Sequence, residues 1–152
     1  MFRGINKVSL DGKSRMALPA RLRDTVQAAS FGKLVLTVDI REKCLMLYPL
    51  PEWEKVQETL TGLANVRTEI RTVQRILIGH ATDLELDAQG RVLIPRQLRD
   101  YARLDKKLIL LGQGNKIEIW NEAQWNERLE DWLESDTVKS LDDLDELSGF
   151  AI

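Results

Sequence analysis

One cysteine, one histidine and four prolines are all that the 152 residues contain of those types. Cys44 has no second thiol, so no disulfide forms within the chain, and its apolar, strand-like run offers no neighbouring ligand for a Cys-based metal site. His80 stands alone and supplies neither a typical zinc site nor a catalytic triad, so a structural role is expected for it. No apolar run approaches the roughly 20 residues of a membrane helix. The opening Met1-Phe2-Arg3-Gly4 lacks the apolar core of a secretory signal, and a cytoplasmic protein is expected. No cofactor is expected either. Gly12-Lys13-Ser14 looks like the end of a phosphate-binding loop, but the first glycine of that pattern falls on Lys7.

Net charge is small but charge is unevenly placed. The formal net charge is -2, yet residues 1–120 carry 20 Lys/Arg against 14 Asp/Glu, and residues 121–152 carry 2 against 10. A basic body with an acidic C-terminus is compatible with a nucleic-acid partner.

What the chain does have is a repeat. Asp11-Gly-Lys-Ser-Arg-Met-Ala-Leu-Pro-Ala-Arg-Leu-Arg-Asp24 aligns without a gap on Asp87-Ala-Gln-Gly-Arg-Val-Leu-Ile-Pro-Arg-Gln-Leu-Arg-Asp100. The match extends outward, from Val8-Ser-Leu10 with Leu84-Glu-Leu86 to Leu45-Met-Leu-Tyr48 with Ile117-Glu-Ile-Trp120. The chain is two copies of one module. Each copy alone is marginal for an independent core, so the two are expected to share one.

Each copy reads as strand, tight Asp-x-x-x-Arg turn, strand, short helix, strand, strand. Asn6–Leu10 and Thr82–Leu86 alternate as strands, with Gly12 and Gly90 taken as the turn residues able to adopt positive φ. Met16–Leu18 and Val92–Ile94 end at Pro19 and Pro95, where helices to Ala29 and Ala102 begin. Strands follow at Lys33–Val38 and Leu45–Tyr48, and at Lys107–Leu111 and Lys116–Trp120. Pro51–Leu63 and Asn121–Glu134 are amphipathic, Asn121 with Gln124 offering a capping box. A linker helix over Val66–Ile78 turns Val66, Ile70, Val73 and Leu77 inward and Arg67, Arg71 and Arg75 outward, where they are expected to pair with Glu52, Glu54 and Glu58. Residues 136–152, with leucines at 141, 144 and 147 between acids, read as a short amphipathic helix or a frayed tail, the tail favoured, and the tryptophans at 53, 120, 125 and 132 as packing residues.

The duplicated Asp-x-x-x-Arg turns followed by proline, the opening Met1-Phe-Arg-Gly4, the phrase Tyr48-Pro-Leu-Pro-Glu-Trp53 and Gly79-His-Ala81 together resemble the MraZ family of bacterial regulators, built from two AbrB-like units. The resemblance implies a mainly β fold with α, a pseudo-twofold swapped-hairpin β-barrel with flanking helices. On that basis residues 1–53 are a first AbrB-like module, 54–78 a helical linker, 79–125 a second module and 126–152 a C-terminal helix and acidic tail. It further implies a ring-shaped homo-oligomer, of eight or more subunits, that binds direct repeats in double-stranded promoter DNA and represses its own division and cell-wall operon from the nucleoid. The first copy departs from the family pattern at Ser14, where glycine is usual before the arginine.

An arginine on a protruding turn can bond a guanine edge or grip a phosphate. Arg15 and Arg91 are therefore the candidate DNA-binding residues, with Lys13, Lys7 and Arg3 as flanking cations; Asp11, Asp87 and Gly90 organise the turns. Two duplicated aspartates also suggest an acid dyad, but the adjacent arginines keep both ionised, and catalysis is not expected. The copies differ in charge: residues 5–16 carry Lys7, Lys13 and Arg15 against Asp11, whereas residues 81–92 carry Arg91 against Asp83, Glu85 and Asp87. The first turn is expected to read DNA and the second to hold itself together or meet a neighbouring subunit. A ring that scaffolds other proteins without a specific DNA target is the alternative from another class.

Overall fold

The computed structural model describes residues 1–64 and 66–149. The chain divides into two compact units, residues 1–121 and 122–152.

Among its described residues the first unit contains eight strands: β1 (Ile5–Ser9), β2 (Arg15–Ala17), β3 (Lys33–Val38), β4 (Leu45–Pro49), β5 (Thr82–Glu85), β6 (Arg91–Leu93), β7 (Lys107–Gly112) and β8 (Ile117–Asn121). Its helices are α1 (Ala20–Ser30), α2 (Leu50–Gly62), α3 (Thr68–His80) and α4 (Arg96–Tyr101). Every pairing is antiparallel. Six strands form a sheet in the order β1-β7-β8-β4-β3-β5, and β2 and β6 form a second, two-stranded sheet. The fold is mixed α/β, and no barrel closes among the described residues: β1 and β5 remain the edges of the larger sheet.

Strand pairing runs between the copies in a reciprocal way. The first strand of each copy lies on the third strand of the other, Ser9 opposite Lys107 and Glu85 opposite Lys33. In the small sheet Met16 faces Val92, and in the large one Met46 faces Glu118. In each of these two pairs the partners occupy the same place in the duplicated sequence.

Alternation on the strands divides the interior in two. Leu34, Leu36 and Val38 of β3, with Leu45 and Leu47 of β4, Leu108 and Leu110 of β7 and Ile117 and Ile119 of β8, join Met16, Val92, Leu22, Val26 and Leu98 in one cluster. The opposite face supplies Val35, Met46 and Tyr48, which pack with Trp53 and Val56 of α2 and Leu77 and Ile78 of α3. Strands β3 and β4 lie mid-sheet and are covered on both faces, which is why they read as continuous apolar runs.

Several local expectations change. Pro19 and Pro95 are the N-cap residues of α1 and α4 and not their first helical residues, since their ψ near 148° and 145° is still extended. Helix α3 starts two residues later than its apolar period suggests, at Thr68, which leaves Val66 88% exposed outside it. Arg67, Arg71 and Arg75 are exposed and, among the described residues, make no ion pair with the acids of α2; the two helices are tied instead by Gln74 Nε2 donating to the Leu60 carbonyl at 2.8 Å.

In the second unit, α5 (Glu122–Glu134) places Trp125 and Trp132 edge to face at 5.8 Å, with the Arg128 guanidinium 5.1 Å from the Trp132 ring centroid. The segment expected to fray is ordered locally, as α6 (Asp136–Lys139) and two 3-10 turns at Leu141–Asp143 and Asp145–Leu147. Residues 150–152 lie outside the described residues.

Candidate nucleic-acid interface

Each Asp-x-x-x-Arg segment folds as a turn closed by its own aspartate. In the first, Asp11 Oδ1 accepts the Lys13 N–H at 2.8 Å and the Arg15 N–H at 2.9 Å. In the second, Asp87 Oδ1 accepts from Gln89 at 2.9 Å and from Arg91 at 2.8 Å. Backbone bonds match as well: Asp11 N–H to Arg15 O and Ser14 N–H to Asp11 O in one, Asp87 N–H to Arg91 O and Gly90 N–H to Asp87 O in the other. Both aspartates have pKa values held below the usual carboxylate range, with the following arginine's backbone N–H as the largest cause.

The residue that takes the left-handed conformation is Ser14 at φ 62° in the first turn and Gly90 at φ 74° in the second. Gly12 does not take it, so the glycine expected to bend the first turn is displaced by a serine two residues on. Despite that substitution the two turns have the same hydrogen-bond pattern. The difference lies in what covers them. A Cβ on Gly90 would lie 2.4 Å from Arg23 Cδ, so the arginine of α1 rests on the second turn. Arg99, its counterpart in α4, instead lines a cavity of about 520 Å³ with Asp11, Gly12, Ser14 and Lys106 beside the first turn, and its Nε is buried without a partner. Sequence reasoning passed over Arg23 and Arg99 as site residues, although both fall in the aligned repeat at the same place.

The arginines themselves are not equivalent. Arg91 donates from Nε to Asp87 Oδ2 at 2.9 Å and from Nη2 to Gln89 Oε1 at 3.3 Å, and its Nη1 lies 4.0 Å from Asp11 Oδ2 of the other copy. Arg15 makes no side-chain ion pair or hydrogen bond among the described residues. The antiparallel β2/β6 pair, Arg15 opposite Leu93 and Arg91 opposite Ala17, places the turns side by side, so Arg91 bridges the two aspartates while Arg15 stays unengaged.

Of the flanking cations, Lys7 lies on the outward face of β1, where Ile5, Lys7 and Ser9 are exposed and Asn6 and Val8 turn inward. Lys13 and Arg3 are exposed. Arg3 follows Phe2, which is buried and bridges Gly114 through two backbone bonds of 2.7 and 2.8 Å. His80 Nδ1 lies 2.6 Å from the Ile76 carbonyl, one turn back in α3.

Fold and site define a duplicated α/β protein whose two copies present adjacent, aspartate-closed arginine turns. The chain matches the family described as "MraZ protein, putative antitoxin-like" twice, over residues 1–76 and 77–144, and it belongs to that family. It is 51% identical to a protein of Marinomonas sp. over 93% of both chains, and 43% identical to one of Halorhodospira halophila over the full length of both. A relative from Thioalkalivibrio sulfidiphilus is 48% identical over 90% of each chain. All three are named transcriptional regulator MraZ, and a member of this family of regulators is not an enzyme.

Proposed function

We propose that the protein is a sequence-specific DNA-binding transcriptional regulator whose first turn reads base edges through Arg15, with Lys13, Lys7 and Arg3 on the phosphates. The observation that carries this reading is the free guanidinium of Arg15 beside the satisfied one of Arg91. A side chain already bonded to its own turn must give up those bonds to meet DNA; an unbonded one on a fixed turn reaches a bidentate acceptor without that cost. The net positive charge of residues 5–16 favours a polyanion and the net negative charge of residues 81–92 opposes it. Arg91 orients its own turn and contributes to DNA contact only as a neighbour.

The reciprocal strand exchange supports a pseudo-twofold arrangement in which each copy's first hairpin is swapped onto the other, two interlocked AbrB-like units without closure of a barrel among the described residues. In this reading several copies assemble as a ring, direct promoter repeats engage successive subunits, and weak single contacts gain avidity. The target is the protein's own promoter and the effect repression, exerted in the cytoplasm at the nucleoid. A ring that serves only as a protein scaffold is the second class of function. Genomic fragments selected on the purified protein distinguish them: enrichment of repeated sequences upstream of its own gene, with affinity falling steeply with salt, supports regulation, and unselective recovery overturns it.

A further inference from the structure

The face of the large sheet that carries Met46 and Tyr48 also carries three potential metal ligands. Asp39 follows β3, Cys44 precedes β4 and Glu118 is the second residue of β8, and one donor atom from each lies within 4.8 Å of the others. These ligands come from three separate segments and from both copies. Two of them are half-buried carboxylates, and among the described residues no Lys or Arg forms an ion pair with either. The third is a thiol that is fully buried and has no hydrogen-bond partner among the described residues.

Each carboxylate keeps one oxygen without a hydrogen bond among the described residues. Asp39 uses Oδ1 to accept the Arg41 N–H at 2.7 Å and the Glu42 N–H at 2.9 Å, which fixes the carboxylate and leaves Oδ2 unbonded. Glu118 Oε1 accepts from Trp120 Nε1 at 2.9 Å, which leaves Oε2 unbonded. Burial, with the neighbouring carboxylates next, pushes the Cys44 thiol far up, and burial likewise raises Glu118. Two half-buried carboxylates beside a buried thiol are relieved either by holding their protons or by taking up a cation in their place. The fold does not require this cluster: Gln113, Lys116 and Met46 stand at the corresponding places of Asp39, Cys44 and Glu118 in the other copy. The duplication therefore supplies its own control, an equivalent location without ligands.

We propose that Asp39, Cys44 and Glu118 form a site for a zinc-class divalent cation that braces the β3–β4 loop of the first copy against β8 of the second. A thiolate with two carboxylate oxygens suits a borderline-soft cation; hard cations such as Ca²⁺ favour an all-oxygen set. Metal–sulfur and metal–oxygen distances of about 2.3 and 2.0–2.2 Å would require the ligands to close by roughly 1 Å, and three protein ligands leave one position for water. Binding displaces the thiol proton and adds stability through linkage.

Full-length protein titrated with CoCl2 and ZnCl2 tests this, alongside Cys44→Ala and Glu118→Gln, the latter retaining an oxygen for the Trp120 bond. The expected result is one Co²⁺ per chain with a thiolate-to-cobalt charge-transfer band, displaced by zinc, together with a zinc-dependent rise in Tm. The band disappears in C44A, and zinc binds at least about tenfold more weakly to E118Q. Wild-type protein without the band, or E118Q binding zinc as tightly as wild type, overturns the site. Neither readout involves DNA, so the outcome is independent of the proposed regulatory function.

Discussion

Arg91 is bonded to Asp87 at 2.9 Å and reaches to within 4.0 Å of Asp11, whereas the side chain of its counterpart Arg15 forms no ion pair with either aspartate among the described residues. Two turns with one backbone pattern thus carry one free and one engaged arginine. Arg15→Ala is expected to remove roughly 1–3 kcal/mol of specific DNA binding per engaged subunit with Tm unchanged. Arg91→Ala should lower Tm by a few degrees and weaken DNA binding less, because it loosens the bridge between the copies. Gel shifts on a fragment with repeated sites, beside thermal melts of both variants, check this. Equal losses of affinity at equal stability would show that both arginines read DNA.

The aspartates make the turns dependent on pH. Asp11 and Asp87 are held below their ordinary pKa when folded, so each contributes stability that is fully present above the unfolded carboxylate value of 3.8 and lost as pH falls through the lower folded value. Between pH 5 and 8 neither group changes charge, and turn-dependent properties should be flat. Asp11→Asn should shift the acid limb of the melting curve and weaken DNA binding at neutral pH, since an amide oxygen accepts the Lys13 and Arg15 N–H groups less strongly. Melts from pH 7 down to the acid transition, with the variant in parallel, measure it.

The reciprocal pairing also explains how much could be read beforehand. The repeat exposed both turns, all eight strands and the unequal charges of the hairpins, because spacing and alternation are local properties of a sequence. It did not show that Gly12 would yield the left-handed position to Ser14, since which turn residue bends depends on the backbone bonds that Asp11 collects. Nor did it show the contact of Arg23 with Gly90, which joins residues far apart in the chain. The expected pairing of Arg67, Arg71 and Arg75 with α2 failed because helical periodicity fixes which residues share a stripe and says nothing of the neighbour's azimuth. Cys44 looked isolated because its companions Asp39 and Glu118 are brought to it by sheet pairing.

Opposite effects are expected from exchanging the two turn residues. Gly90→Ser places a Cβ at φ 74° and against Arg23, and should cost about 1–3 kcal/mol in unfolding experiments. Ser14→Gly relieves a left-handed serine and should raise stability or leave it unchanged, by up to about 1 kcal/mol. Denaturant titrations of the two variants give the signs directly.

Gly112 holds the N-terminal segment in place. A Cβ there would lie 2.2 Å from the backbone nitrogen of Arg3, a contact with main chain that no rotamer change relieves. The Gly112 N–H also donates to the Gly4 carbonyl at 2.9 Å, and Phe2 is buried against the core next to it. Gly112→Ala must therefore push residues 2–4 off the edge of the large sheet, exposing Phe2 at a cost of about 3–5 kcal/mol if its side chain leaves fully. Arg3 would lose its fixed place while Arg15 keeps its own. A variant that melts early, exchanges amide hydrogens faster at Phe2 and Gly114, and retains weaker but still sequence-selective DNA binding is the expected result. Unchanged exchange at Phe2 would mean that the segment shifts as a whole, and selectivity lost together with the segment would assign base reading to Arg3 as well as to Arg15.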